Sequence, residues 1–323
     1  MTETVGDIGE LALIERLKPF CAADAVGDDA ALMSVRSGHQ LVVTTDVLVA
    51  GVHFSDRTTP PYSVGWRSVA ANLSDLAAMG AEPIGITVGL GLPKQTPWPW
   101  IESLYEGMSE CLRTHGGAIY GGDLCRADQQ MVSITALGEV EPQQAIRRNV
   151  ATAGMTVVVT GAHGGARAGL AVLLGELEAS SEYAKDWVRA HQMPVPRFDA
   201  ARAVRGCSAI AGMDSSDGLA NALLQLSRCS HIGIEIFESA IALPNGLGNT
   251  VGHKTALDWA LYGGEDFELV LCLPNELATA LENKGIVIPI GRTTLSEPGH
   301  VRLFTSEERT NSYRIGHNSF QHF

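Results

Sequence analysis

Asn72-Leu73-Ser74-Asp75-Leu76-Ala77-Ala78-Met79-Gly80 places a carboxylate inside a helix-forming run. Val64, Val69, Leu73, Leu76 and Met79 recur at helical spacing, which predicts a helix over 63–79. Asp75 then lies among apolar neighbours, where a lone charge is costly to bury unless a cation or strong donors satisfy it. Further acids recur beside glycines and small residues. They stand in Gly27-Asp28-Asp29, Thr44-Thr45-Asp46, Gly121-Gly122-Asp123, Asp214-Ser215-Ser216-Asp217-Gly218 and Gly263-Gly264-Glu265-Asp266. Gathered in one cleft, these acids would repel one another unless divalent metal neutralised them. The pattern points to a magnesium-dependent site that handles phosphates.

Outward from this run the pattern alternates between strand and helix. A helix over 9–18 precedes the Gly27-Asp28-Asp29 turn, and strand signals follow at 41–45, 84–92, 118–120 and 131–140. A helix over 98–114 ends at Gly116-Gly117. The pattern lapses from Glu141-Pro142 to Gly154, which places the boundary between a domain of residues 1–145 and one of residues 146–323. Beyond it, strands are expected at 157–160, 232–237, 267–273, 286–290 and 300–305. Helices are expected near 166–177, 182–192, 197–205 and 219–229. The chain reads as mixed α/β.

Composition removes several function classes. With 323 residues the chain is long enough for two domains. Thirty-six acids against 23 bases give a net charge of −13, which argues against nucleic acid or an anionic membrane surface as partner. Cys21, Cys111, Cys125, Cys207, Cys229 and Cys272 show no C-x-x-C spacing and read as free, buried thiols of a reducing compartment. The N-terminus carries no cleavable hydrophobic signal, and no apolar run reaches the roughly 20 residues a membrane helix needs, so a cytoplasmic protein is expected.

Phosphate chemistry here would have to be run by acids and metal. There is no G-x-x-x-x-G-K-[ST] loop, and the chain holds five lysines in all. Gly161-Ala162-His163-Gly164-Gly165 lacks the dinucleotide-binding spacing. Each acid also has a plainer reading. Asp28 and Asp29 suit a turn, Asp46 a strand-end cap, Asp123 a glycine-rich loop, and Ser216 or Asp217 the N-cap of the following helix. His53, in Gly51-Val52-His53-Phe54, stands alone, and a lone histidine is more often a satisfied structural residue than a functional one. Asp75 has the least to gain structurally.

In this order the motifs resemble those of the thiamine-monophosphate kinase family. The resemblance is carried by Gly27-Asp28-Asp29-Ala30-Ala31-Leu32, by Thr44 to Phe54, by Asn72 to Pro83 and by Gly121-Gly122-Asp123. Ser216-Asp217-Gly218-Leu219, Gly263 to Leu269 and the closing His322-Phe323 continue it. It spans essentially the whole chain. It implies a two-domain fold like that of aminoimidazole ribonucleotide synthetase, with the N-terminal domains of two copies pairing into a β-barrel. It also implies ATP, thiamine monophosphate and several Mg²⁺ ions in the cleft between domains.

Carried over by motif, Asp29, Thr44, Thr45, Asp46, Asp75, Asp123, Asp214 and Asp217 would hold metal, with Asp75, Asp123 and Asp217 closest to the chemistry. Gly122, Asp123, Arg148 and Ser216 would face ATP, with Arg147 as the alternative to its neighbour. His53, Glu265 and Phe320 would contact thiamine monophosphate. Two positions depart from the family pattern: Ser215 replaces an aliphatic residue, and Phe320 stands where Trp or Tyr is common. Rival readings are a sister ATP-dependent enzyme of the same fold and a nucleotide-binding regulator without turnover.

Overall fold

The structure is a computed structural model that describes residues 2–23, 25–178, 181–207, 210–305 and 311–316. It divides into two compact units, one of Met1–Leu76 with Ala81–Pro142, the other of Gln143–Phe323 with Ala77–Gly80.

The first unit begins with two short helices, α1 (Val5–Ile8) and α2 (Glu10–Leu17), where the sequence predicts one. The break has a local cause. Thr4 and Asp7 form a reciprocal capping box that starts α1, and Gly9, at φ 77°, both ends α1 and begins α2. There follow β1 (Gln40–Val49), α3 (Pro61–Ala78), β2 (Glu82–Leu92), α4 (Trp98–His115), β3 (Ile119–Arg126) and β4 (Met131–Val140). The strands form one sheet in the order β1-β4-β2-β3. β4 runs antiparallel to β1 and β2, and β3 runs parallel to β2.

One face of this sheet is core: Ile86, Val88, Leu90, Val132, Ile134 and Ala136 are all at most 1% exposed. The helix α3 is buried almost all round, as an apolar helix must be. It approaches α4 so closely that a Cβ on Gly65 would lie 1.9 Å from the Leu104 carbonyl oxygen, and one on Gly107 1.9 Å from that of Tyr62. Glycine is required at both crossings.

On the other face Leu41, Val43 and Val47 remain 48%, 56% and 43% exposed. Strand alternation puts them opposite the core-facing residues. The sequence expectation for β3 needs correction, because the strand does not stop at Tyr120 for a glycine loop. It continues through Gly121-Gly122-Asp123 to Arg126, and Gly122 is needed because a Cβ there would meet the Val88 carbonyl oxygen at 1.9 Å.

The second unit contains β5 (Thr156–Val159), α5 (Gly165–Leu174), α6 (Ser181–Gln192), α7 (Phe198–Ala203), β6 (Ala211–Asp214) and α8 (Leu219–Cys229). It continues with β7 (Gly233–Phe237), α9 (Leu247–Val251), α10 (His253–Tyr262), β8 (Leu269–Leu273), α11 (Asn275–Glu282), β9 (Ile288–Thr294), β10 (Val301–Phe304) and β11 (Ser312–Arg314). Its seven strands are ordered β11-β10-β7-β9-β5-β8-β6, with β10 parallel to β7 and the other pairs antiparallel.

The core joins Val157, Val159, Leu219, Leu223, Leu226 and Val270. All six cysteines are free, but only Cys111 and Cys272 are fully buried. Cys125, on edge strand β3, and Cys229, at the end of α8, are exposed, which corrects the expectation of six buried thiols. Among the described residues no helix is long and apolar enough to cross a membrane.

Candidate active site

In the first unit the Asn72-to-Asp75 run fastens α3 to the edge strand. Asn72, fully buried, accepts the Asp46 backbone N–H on Oδ1 at 3.1 Å and donates its amide to the Ser68 carbonyl at 2.9 Å. Three residues on, and so on the same helical face, Asp75 accepts the Thr44 hydroxyl at 2.5 Å. Thr44 and Asp46 share one face of β1 by strand alternation. Thr45 points the other way, its hydroxyl 2.9 Å from that of Thr135 on β4.

Asp123 is exposed on β3 in register with Gly89, which pairs with Ser133, which pairs with Val47. It therefore shares the Thr45 face of the sheet. The predicted ligands of this unit fall into two sets: Thr44, Asp46 and Asp75 on the α3 side, Thr45 and Asp123 on the outer face. Asp29 is exposed in the bend before β1. His53 lies in the turn after β1, where its Nδ1 is 3.0 Å from the Val49 backbone N–H and accepts from it. That bond puts the proton of a neutral His53 on Nε2.

In the second unit β6 ends at Asp214, which is 3% exposed and accepts the Ser216 hydroxyl at 2.9 Å. Neither Ser216 nor Asp217 caps the next helix, contrary to the plainer sequence reading. Gly218, at φ 98°, occupies the N-cap of α8 with no side-chain cap bond. Asp217 instead accepts from the Asn221 amide at 3.1 Å, and one turn further Gln225 accepts from Arg148 at 2.6 Å. Asp217, Asn221, Gln225 and Arg148 thus run along one face of α8. Arg147 is tied through its backbone, its carbonyl accepting the Gly212 N–H at 3.2 Å. Gly122 lies in β3 as described. Phe320 lies outside the described residues.

The Gly263–Glu268 segment joins these parts. The Glu265 N–H donates to the Ser216 carbonyl at 2.7 Å, so a predicted substrate residue and a predicted ATP residue are directly bonded. Gly264, Glu265 and Phe267 have φ of 67°, 59° and 53°. The left-handed region costs a non-glycine residue about 1–3 kcal/mol and persists only where surroundings enforce it. Here the restraints are dense. Asp266 accepts two backbone N–H groups at the start of α5, from Gly164 at 2.7 Å and Ala166 at 2.9 Å. Glu268 accepts the Thr160 hydroxyl and, at 2.6 Å, Arg197 Nη1. Ser215 donates its N–H and its hydroxyl to the Glu268 carbonyl, at 2.8 and 3.0 Å.

Burial pushes the Asp266 carboxyl up to about 7 despite its N–H donors. It pushes Glu268 up as well, against the pull of Arg197. Fully buried His163, 3.1 Å from the Ser215 hydroxyl, is pushed down to about 4 by the same effect and stays neutral. Sequence reasoning counted Asp266 only among the acids of the expected metal site and assigned no role to Glu268, Arg197, His163 or His191. Asp266 and Glu268 stood in the quoted Gly263–Leu269 run, and His163 in the Gly161–Gly165 turn that was set against dinucleotide binding. Arg197 and His191 carried no motif.

The side chains assembled in each unit offer oxygen donors, with no thiolate among them. Among the described residues, no three His, Cys, Asp or Glu side chains form a group that could hold a metal ion.

Comparison with known proteins adds the family. Residues 27–140 match the model of the AIR synthase related protein N-terminal domain. A thiamine-monophosphate kinase of Synechococcus elongatus is 45% identical over 284 residues, covering 86% of this chain and 86% of that protein. The crystal structure of thiamine-monophosphate kinase from Stenotrophomonas maltophilia superposes with a TM-score of 0.81 at 32% identity, over 91% of this chain and 96% of that one. AaThiL, complexed with AMPPCP and TMP, superposes with a TM-score of 0.76 at 29% identity, over 98% of this chain and all of that one. With this identity sustained over most of its length, the chain belongs to the thiamine-monophosphate kinase family.

Proposed function

We propose that the protein phosphorylates thiamine monophosphate to thiamine diphosphate with ATP as donor, by direct in-line transfer. The observation that carries this reading is the family membership, sustained over 86% of the chain. A relative of the same fold, AaThiL, was solved complexed with AMPPCP and TMP. The cysteines, all free, fit a reducing, cytoplasmic setting.

The acceptor is a phosphate monoester whose second pKa is about 6, so it is largely dianionic at neutral pH and needs no general base. Its difficulty is approach to a second polyanion. At about 4 Å a single pair of unit charges costs about 1 kcal/mol in water and several times more at a protein surface. Mg²⁺, when bound, supplies the neutralisation that lets donor and acceptor oxygens meet. Carboxylate and hydroxyl oxygens are the donors this hard cation takes, and the chain offers them at Asp29, Thr44, Thr45, Asp46, Asp75, Asp123, Asp214 and Asp217. Ser216, Gly122, Asp123 and Arg148 are assigned to ATP, and His53, Glu265 and Phe320 to thiamine monophosphate. His53, with its Nδ1 engaged at Val49, offers Nε2–H as a donor to an anionic group.

The test is formation of thiamine diphosphate from purified protein, ATP, Mg²⁺ and thiamine monophosphate. Product is expected only with all components, is lost with EDTA and returns with added Mg²⁺. Mg-ATP binding without product would favour a sister enzyme or a regulator. Product unaffected by EDTA would remove the metal assignments.

The exposed sheet face of the first unit is assigned to a second copy of this chain. Leu41, Val43 and Val47, each more than two-fifths exposed, form an apolar stripe of a kind that monomers seldom leave uncovered. A dimer mass is expected by sedimentation, shifting to monomer in Val43→Glu. A wild-type monomer at micromolar concentration would sink the assignment.

A further inference from the structure

We propose that Asp266 is a positioning residue which, latched to the first turn of α5, holds Glu265 in the backbone conformation that meets the acceptor substrate. The inference rests on the reading above, in which Glu265 contacts thiamine monophosphate. Its own ground is the arrangement of the Gly263–Glu268 segment. Glu265 and Phe267, on either side of Asp266, both hold left-handed backbone angles that neither residue prefers.

A segment of this kind relaxes unless something fixes it from outside, and the fixed point between the two strained residues is the Asp266 side chain. Its two carboxylate oxygens take the N–H groups of Gly164 at 2.7 Å and Ala166 at 2.9 Å, so it is anchored at both ends of the carboxyl group. Gly164 itself, at φ 95°, turns the chain so that these N–H groups converge. The N-terminal end of a helix favours a negative charge there.

The latch has two outputs on Glu265. Its N–H is held at 2.7 Å from the Ser216 carbonyl, and its Oε2 is held 3.7 Å from Nδ1 of His191, a residue 3% exposed on α6. The hydrogen bonds of the Asp266 side chain go to the start of α5 and to neither of these partners. Asp266 acts through the position of the residue before it.

The experiment compares Asp266→Asn, Glu265→Gln and the double variant. Asparagine keeps one acceptor oxygen but sets an N–H₂ against the second donor. Steady-state kinetics in both substrates and the thermal midpoint are read for each. Asp266→Asn is expected to lower kcat/KM for thiamine monophosphate about tenfold, with KM for ATP within about twofold of wild type. Because Asp266 acts through Glu265, the double variant should lie within about twofold of Glu265→Gln alone.

Ala166→Pro is the second variant. It removes one donor in the first turn of α5, where no intrahelical bond uses that N–H, and it should give the same pattern to a smaller degree. Losses that multiply in the double variant overturn the proposal. So does an Asp266→Asn protein that melts earlier yet keeps wild-type kcat/KM while Glu265→Gln is impaired. A wild-type-like Glu265→Gln removes the assignment of Glu265 itself, and the latch with it.

Discussion

Asp75→Asn is expected to abolish thiamine diphosphate formation, lowering kcat by about a thousandfold, while the fold and thermal midpoint stay close to wild type. The substitution is nearly isosteric. The Thr44 hydroxyl that donates to Asp75 at 2.5 Å can donate equally to the asparagine oxygen, so the contact between α3 and β1 is retained. What is lost is one negative charge on a helix whose buried positions around it are apolar or neutral: Leu73 and Leu76 are fully buried, as are Ser68, Asn72 and Ser74, while the one buried cation of the helix, Arg67, stands about two turns earlier. Asn72 and Asp75 are a controlled pair on one helical face. Asn72 engages Asp46 and Ser68 through both ends of its amide, a neutral and purely structural arrangement. Had Asp75 only to receive a hydroxyl, an amide would serve as well and a carboxylate would bring an unneeded desolvation cost. The check is turnover beside circular dichroism and thermal melting. Near wild-type turnover in a folded Asp75→Asn protein would reduce Asp75 to a second Asn72.

The first unit was legible in the sequence because its signals are local. The apolar spacing from Val64 to Met79 is helical, and β4 alternates residue by residue between buried and half-buried positions from Met131 to Gly138. What the sequence left hidden depends on neighbours far along the chain. Gly121-Gly122-Asp123 reads as a loop, and only the close approach of β2 makes it a strand. Thr45 stands beside Thr44 in every motif, yet the pleat sends the two side chains to opposite faces.

In the second unit β6 is four residues long and buried throughout, so it shows no alternation to read. The helices α9 and α10 begin at Gly246 and Gly252 without a capping side chain, so they lack the usual N-terminal signature. The acids proposed for the site were visible as a pattern. Which of them share a face was not, since that follows from strand parity and sheet order rather than from residue type.

Arg197→Met should cost about 3–5 kcal/mol of stability, as expected when a buried charge loses its partner. Arg197 has no motif around it, and its partner Glu268 lies 71 positions away. Both side chains are only 17% exposed. The guanidinium uses four of its five N–H groups: Nη1 reaches Glu268 and the Thr160 carbonyl, each at 2.6 Å, while Nε and Nη2 donate to the two oxygens of Asp199 at 3.0 and 2.9 Å. Methionine fills much of the volume and offers none of these donors, so Glu268 keeps only the Thr160 hydroxyl among its side-chain partners.

The pH dependence has a definite sign. Burial already raises the Glu268 carboxyl above its usual range, and losing Arg197 raises it further. A carboxyl raised in the folded state contributes stability that is present below its unfolded pKa and lost as pH rises through the folded one. The variant should therefore fall further below wild type at about pH 8 than at about pH 5. Urea denaturation at the two pH values measures both effects. A loss below about 1 kcal/mol, the scale of a surface pair, would show that water reaches Glu268. A deficit that shrinks with rising pH would contradict the buried carboxylate itself. The consequence extends beyond stability, because the carbonyl of this same Glu268 receives both Ser215 donors and so fixes the turn between Asp214 and Asp217.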